Sequence, residues 1–120
     1  MRRKPAKFVF DMLDSCGFLL ELTRGETVAR YKSDRAFRGA VERELQIIGE
    51  AMLQLKNLNP HLAARFTENE QIIGFRHVLV HGYFDLNAEL VWRIVADKLP
   101  VLQSELESTL RELPPPESPV

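Results

Sequence analysis

Apolar residues recur at steps of three and four over most of this 120-residue chain, which is the spacing of one face of an α-helix. The clearest run, between residues 34 and 55, consists of Phe37, Val41, Leu45, Ile48, Met52 and Leu55. Comparable runs over residues 6–23, 70–81 and 87–110 indicate further long helices. No segment alternates apolar and polar residues over enough positions to predict a strand. The sequence therefore predicts an all-α protein, an antiparallel up-and-down bundle of four long helices plus a short helix.

Capping residues predict where these helices begin. Asp34 and Asn87 precede the second and the last of the long helices, and both residue types are favoured N-caps. Residues 67–70, Thr-Glu-Asn-Glu, match the capping box and predict the start of the third long helix. Pro60 suits the first turn of the short helix, which continues over residues 61–66.

Three segments depart from the regular helical pattern. Residues 26–33 contain Tyr31 but little periodicity, and we expect a loop or a single turn there. Pro100 lies inside the apolar pattern of the last helix, which favours a kink over a stop. Four of the seven prolines fall in the last seven residues. We therefore expect one domain over residues 1–113 and an extended, disordered tail over residues 114–120.

Charge and cysteine content narrow the possible classes of function. A net charge of −1 and a pI of about 6.3 exclude a generally basic surface, so any polyanion would have to be held by a local cluster of cations. The single cysteine, Cys16, cannot form an intrachain disulfide, which suits a reducing cytosol. No run approaches the roughly 20 apolar residues of a membrane span. These features predict a soluble cytoplasmic protein with no membrane partner.

Residues 76–83, Arg-His-Val-Leu-Val-His-Gly-Tyr, place a guanidinium, two imidazoles and a phenol close together. Arginine is permanently cationic and can stabilise the charge of a phosphoryl-transfer transition state. Histidine titrates near neutrality, so it can take a proton from a ribose 2′-hydroxyl or give one to the leaving 5′-oxygen. Arg76 and His81 could therefore cleave RNA without a metal, by attack of the 2′-oxygen on the adjacent phosphorus.

The spacing of this pair sets a geometric requirement. Five residues along an ideal helix rotate His81 by about 140° from Arg76. Both side chains can reach one phosphate only if the helix distorts at its end, as Gly82 would permit. Otherwise, the second copy in a dimer must complete the site.

Other interpretations of the same residues stay open. Arg76 could form an ordinary ion pair with a helix carboxylate such as Glu50. His81 could satisfy carbonyl groups at a helix C-terminus, and Tyr83 could be a core aromatic residue.

A metal site is a further alternative. His77 and His81 lie four residues apart, hence on one helical face, and Glu50 or Asp85 could supply a third ligand. No H-E-x-x-H signature or cysteine pair supports such a site, and we expect no metal and no cofactor.

The stretch over residues 76–83 resembles the motif of the HepT-like family of HEPN ribonucleases, toxins encoded beside a minimal nucleotidyltransferase antitoxin. The family motif reads R-x-x-x-x-H-x-Y, and this chain has RHVLVHGY. Other phrases similar to the family's occur in the same order: IIGEA at 47–51, IIGFR at 72–76, VW at 91–92 and KLP at 98–100. The resemblance extends from about residue 8 to residue 112.

The resemblance implies the HEPN fold and a homodimer with both motifs near a shared cleft. Arg76 and His81 match the family's catalytic pair, which implies metal-independent endonucleolytic cleavage of RNA. Tyr83 matches the tyrosine that the partner nucleotidyltransferase can modify with AMP. Adenylylation would place a bulky anion two residues from His81 and repel an incoming phosphate.

Several polar residues have expected supporting roles. His77 stands where the family often has Asn, and its imidazole could hydrogen-bond the substrate or change the titration of His81. We expect Glu50 to pair with Arg76 or His81 and so orient the site, because half-buried carboxylates usually find cations. Candidates for steering RNA, if they are not simply a solvated helix face, are Arg35, Arg38 and Arg43.

These observations predict an RNase toxin held inactive by a cognate nucleotidyltransferase. The alternative is a non-catalytic helical-bundle subunit that binds that nucleotidyltransferase or a nucleotide. The Arg76–His81 pair favours the enzyme, whereas the acidic pI leaves room for the alternative.

Overall fold

A computed structural model describes residues 4–81 and 87–113, with the backbone alone for His81. Helices make up nearly all of these residues, and no strand occurs among them. The helical elements are α1 (Pro5–Leu22), α2 (Val28–Ser33), α3 (Arg35–Leu58), α4 (Pro60–Ala63), α5 (Asn69–His81), α6 (Ala88–Arg93), a π-helical segment (Ile94–Lys98) and α7 (Leu99–Glu112). The predicted all-α HEPN-type bundle is confirmed.

The centre of the bundle is α3, whose apolar face is covered from two sides. It packs against α1 on one side and α5 on the other, while α1 also packs against α7. All six residues of the predicted α3 stripe are buried, and they meet apolar residues of the other helices. Those with no exposed surface include Val9, Met12, Cys16, Leu19, Val41, Met52, Leu55, Phe66, Val91 and Leu106. Burial of this interior supplies the main force that holds the helices together.

The segment predicted as a loop or single turn forms the six-residue helix α2 instead. Tyr31 is buried there, with its ring centroid 6.1 Å from that of Trp92, and its hydroxyl donates a hydrogen bond to Glu42 of α3. The guanidinium of Arg38 donates to the carbonyl oxygens of Tyr31 and Lys32. This helix is held by hydrogen bonds to α3 that join residues 6 to 11 positions apart and by the distant Trp92 of α6, and local periodicity reveals neither.

Side-chain caps define the starts of three helices. Asp34 accepts a hydrogen bond from the backbone N–H of Phe37, and Asn87 accepts one from that of Leu90, as predicted. The hydrogen bond from Phe37 is the largest cause that lowers the pKa of Asp34. Asn59 caps the short helix α4, which begins at Pro60 as expected but ends at Ala63 and not near residue 66.

The predicted capping box at residues 67–70 is wrong. The third long helix begins at Asn69, and the backbone N–H and hydroxyl of Thr67 both donate to the carboxylate of Glu105 in α7. Lys98 also binds Glu68 at 3.0 Å. Tertiary hydrogen bonds to α7 and its preceding turn therefore take the place of the local cap.

Pro100 distorts the last helix without ending it. Residues 94–98 form a π-helical turn directly before the proline, and helical backbone runs on both sides from Ala88 to Glu112. Proline lacks an N–H and its ring crowds the preceding turn, and a wider π turn relieves both problems. The expectation that the helix does not stop at Pro100 is confirmed.

Several expectations lie outside the described residues. They concern the helix end at Gly82, the position of Tyr83, the metal-ligand role of Asp85 and the extended tail over residues 114–120.

Candidate active site

The crossing of α3 and α5 brings Arg76 unusually close to the backbone of α3. A Cβ added at Gly49 would lie 2.2 Å from the Cβ of Arg76, 2.8 Å from its Cγ and 3.2 Å from the carbonyl oxygen of Ile72. Real Cβ atoms do not approach so closely, so only glycine fits at position 49 while the helices keep this separation. The Cβ and Cγ atoms of Arg76 therefore pack directly against the backbone of α3.

The guanidinium of Arg76 is held by the residue that follows this glycine. Its Nη2 atom lies 2.9 Å from Oε2 of Glu50, while Nε2 of Gln54 donates to the other carboxylate oxygen of Glu50 at 3.1 Å. The side chains of Arg76 and Glu50 are 28% and 46% exposed, so the pair lies at the surface and within reach of a ligand. The predicted contact between Glu50 and Arg76 is present.

An open groove of about 610 Å³ lies beside this ion pair, between α1, α3 and α5. Apolar side chains on its surface include Ile47 of α3 and Val80 of α5. Its charged lining residues are Arg43, Arg76, Asp11, Asp14, Glu44 and Glu50. Carboxylates outnumber guanidiniums, so a phosphate would have to be held by the two arginines locally, as the low net charge led us to expect.

Of the two motif histidines, only His77 has a described side chain. His77 is exposed and does not line the groove, although it follows Arg76 directly. The backbone of α5 is helical as far as His81, which places residues 76 and 81 on different sides of the helix. The imidazole of His81 and all of Tyr83 lie outside the described residues.

The three arginines proposed for RNA steering have separate positions. Arg43 lines the groove with Arg76, on the same side of α3 as Glu50 seven residues later. Arg38 binds backbone carbonyls of α2 and so has a structural contact. Arg35 is exposed at the start of α3 and does not line the groove.

Comparison with known proteins decides the family. The family model described as "Ribonuclease HepT-like" matches residues 12–109, which is most of the chain. The chain belongs to the HepT-like ribonuclease family. This confirms the resemblance seen in the motif phrases and gives ribonuclease as the class of activity.

Relatives of similar length carry provisional RNase names. One from Methanocaldococcus jannaschii is 30% identical over 108 residues, which cover 88% of this chain and 96% of the relative. One from Caldanaerobacter subterraneus is 28% identical over 112 residues, which cover 92% and 97%. One from Thermococcus cleftensis, with the provisional name ribonuclease HepT, is 27% identical over 111 residues, which cover 89% and 96%. No solved structure matches the chain significantly.

Two further findings concern metals and membranes. Within residues 4–81 and 87–113, no three metal-ligating side chains converge, although this leaves out the imidazole of His81 and all of Asp85. The histidine-based metal site therefore stays a hypothesis. None of the described helices has the length and apolar character required to cross a bilayer.

Sequence reasoning about this HepT-like chain missed two residues of the candidate site. Gly49 interrupts a long helical pattern, and such an isolated glycine is a signal for close packing. Gln54 lies one helical turn after Glu50, a spacing that permits a side-chain hydrogen bond. Both signals are local, but neither one identifies Arg76 as the neighbour, because that depends on how α3 and α5 cross.

Proposed function

We propose that this HepT-like protein is the toxin of a HEPN/nucleotidyltransferase toxin–antitoxin system and acts as a metal-independent RNA endonuclease. The proposal rests mainly on the position of Arg76, which lines the groove and pairs with Glu50 there. Among the described residues, Glu50 alone pairs with its guanidinium, through Nη2. The Nε and Nη1 groups are left to bind a phosphate oxygen, and arginine binds phosphate well through two adjacent N–H groups.

The chemistry follows from the two motif residues. His81 takes the proton from a ribose 2′-hydroxyl, and the 2′-oxygen forms a bond to the adjacent phosphorus as the bond to the 5′-oxygen breaks. Arg76 stabilises the negative charge that builds on the phosphoryl oxygens. The leaving 5′-oxygen takes up a proton, so the products are a 2′,3′-cyclic phosphate and a 5′-hydroxyl. This step requires neither a metal nor a cofactor.

A homodimer would allow Arg76 and His81 to reach the same phosphate. Since the backbone of α5 is helical up to His81, positions 76 and 81 of one copy are separated by about 140° around the helix axis. The described lining of the groove contains no histidine. Ile47 and Val80 leave apolar surface on the groove, which a second copy could cover. We infer that His81 of one copy and Arg76 of the other meet across a shared cleft.

Control by the antitoxin completes the proposal. The cognate minimal nucleotidyltransferase would transfer AMP from ATP to the hydroxyl of Tyr83, two residues after His81 in the chain, and release pyrophosphate. The added phosphate, close in sequence to His81, would repel the incoming phosphate of RNA. His77 is exposed and follows Arg76 in the chain, so it is a candidate for hydrogen bonding to the substrate. A His77→Asn variant would test whether His77 affects the pH–rate profile.

The second candidate function is a non-catalytic subunit that binds the nucleotidyltransferase or a nucleotide. The acidic lining of the groove favours the protein partner over RNA, because four carboxylates beside two arginines attract a polyanion poorly. A binding subunit would need neither Arg76 nor His81 for an effect on RNA.

Expression without any partner protein separates the two functions. Wild type, Arg76→Ala and His81→Ala are induced to matched levels, and growth and RNA integrity are followed. The proposal expects growth arrest and RNA cleavage by wild type alone, with both relieved by the co-expressed nucleotidyltransferase. If matched wild type neither arrests growth nor cleaves RNA, the binding-subunit function takes the place of the enzyme.

A further inference from the structure

Residues around Gly49 in α3 constrain the side chain of Arg76 at its base and at its tip. Gly49 touches the base of the side chain, Glu50 binds its tip, and Gln54 binds the carboxylate of Glu50. All three belong to one stretch of a single helix. A side chain as long as arginine has many rotamers, so contacts at both its base and its tip restrict where the guanidinium can lie.

The contact at Gly49 cannot be replaced by a small side-chain movement. The nearest atom to an added Cβ is the Cβ of Arg76, which the backbone of α5 fixes, and the third nearest is a backbone oxygen. An alanine at this position would therefore push α5 away from α3 by about an ångström, because packed helices have no free space to absorb it. The guanidinium of Arg76, which lines the groove, would move with α5.

Other glycines of the chain show that this contact is specific. Gly39 also lies in α3, yet an added Cβ there meets nothing within 4 Å. The same holds for Gly74 in α5, two residues before Arg76. Glycine is a poor helix former. The close approach of Arg76 explains why glycine occurs at buried position 49, whereas no described residue makes such a contact at position 39.

We propose that Gly49 and Gln54 are positioning residues for Arg76. Gly49 sets the distance between α5 and α3, and so the depth of the guanidinium in the groove. Gln54 holds the Glu50 carboxylate in the orientation that engages Nη2 of Arg76 and leaves Nε and Nη1 towards the substrate. This inference rests on the proposed function, in which Arg76 binds the phosphate.

The test compares Gly49→Ala with Gly39→Ala in the full-length protein. An ångström of displacement at a catalytic group can cost on the order of 100-fold in rate. Gly49→Ala should lower kcat by roughly 10- to 100-fold with little change in KM, whereas Gly39→Ala should match wild type in both. Helix content from circular dichroism, together with a cooperative melting curve, identifies folded protein.

A double-mutant comparison separates positioning from general damage. In an Arg76→Ala background no guanidinium remains to be misplaced, so Gly49→Ala should lower the residual activity by less than about twofold. A purely structural defect would lower activity equally in both backgrounds and would overturn the inference.

Gln54→Ala keeps the test decisive if Gly49→Ala does not fold. Gln54 is exposed, so its removal leaves the packing of the bundle intact, and kcat should fall about 3- to 10-fold. If folded Gly49→Ala keeps wild-type kcat and KM, the role of Gly49 is refuted. If Gly49→Ala does not fold and Gln54→Ala is fully active, the inference is refuted as a whole. Either result leaves the ribonuclease proposal standing, because that proposal is tested separately, by whether wild type cleaves RNA and whether cleavage continues in EDTA.

Discussion

Arg76 and Glu50 join α5 to α3 through an ion pair of 2.9 Å at the edge of the groove. Both side chains are partly exposed, and ion pairs of this kind contribute about 0–1 kcal/mol to stability. The pair therefore matters more for where the guanidinium lies than for how stable the bundle is.

Removal of this carboxylate should lower activity more than stability. We predict that Glu50→Ala lowers kcat roughly 10-fold, because the guanidinium loses its fixed partner, while the free energy of unfolding changes by less than about 1 kcal/mol. Glu50→Gln keeps an acceptor oxygen and should recover part of the rate. Steady-state cleavage of a short RNA and denaturant unfolding measure the two effects. Unchanged kcat in folded Glu50→Ala would show that the pair does not orient the site.

Arg43 should contribute to RNA binding through its charge. It lines the groove with Arg76, so Arg43→Ala should raise KM severalfold and leave kcat nearly unchanged. Without this arginine, one fewer phosphate of a single-stranded RNA is neutralised. The slope of log K against the logarithm of the salt concentration should therefore become less steep by about 0.7. Arg24→Ala is the matched control, since the Arg24 side chain is 75% exposed and pairs with Glu21 outside the groove. Equal KM and equal salt slope for the two variants would exclude Arg43 from the binding site.

Mixing two inactive variants tests whether the site is shared between copies. If Arg76 of one copy works with His81 of the other, a dimer of Arg76→Ala with His81→Ala contains one intact site and one doubly defective site. Random exchange should then restore about a quarter of wild-type activity, because half of the dimers are mixed and each has one working site. If both groups act within one copy, every site carries a defect and mixing restores nothing. Size-exclusion chromatography with light scattering checks that dimers form and exchange.

Cys16 should be inert in the folded protein and should make the fold less stable at alkaline pH. It is fully buried, and burial raises the pKa of its thiol to about 12. The unfolded thiol loses its proton near pH 8.5–9 while the folded one keeps it, so stability falls as the pH rises above that range. Between pH 8 and pH 10, about 1.5 kcal/mol should be lost, and Cys16→Ala should lose less. Denaturant unfolding followed by fluorescence of Trp92, the single tryptophan, measures this, and a rapid reaction of native Cys16 with a thiol reagent would contradict it.

The sequence predicted those parts of the fold that depend on local pattern. Periodicity predicted α1, α3, α5 and the final helix, and Asp34 and Asn87 cap where expected, because these signals operate within a few residues. By contrast, α2 depends on Tyr31 packing against Trp92, and Thr67 binds Glu105 rather than its own helix. Such contacts join residues far apart in the chain, and periodicity carries no information about them.

The candidate site, like the fold, was predictable from the sequence only in part. The contact of Arg76 with Glu50 was among the expected alternatives, because a half-buried carboxylate usually pairs with a cation. The seating of Arg76 against Gly49 was not expected, since it depends on the register and distance of the α3–α5 crossing. The groove between three helices likewise becomes visible only when the helices are assembled.

The most direct measurement of the central claim is cleavage of a defined RNA by purified protein with excess EDTA, followed by mass spectrometry of the new ends. Wild type should produce 2′,3′-cyclic phosphate and 5′-hydroxyl ends without a divalent metal. Arg76→Ala and His81→Ala, folded to the same extent, should each be slower by roughly 10²- to 10⁴-fold. Cleavage that persists in both variants, or that stops with EDTA and returns with added metal, would contradict the assignment of Arg76 and His81 as a metal-independent catalytic pair.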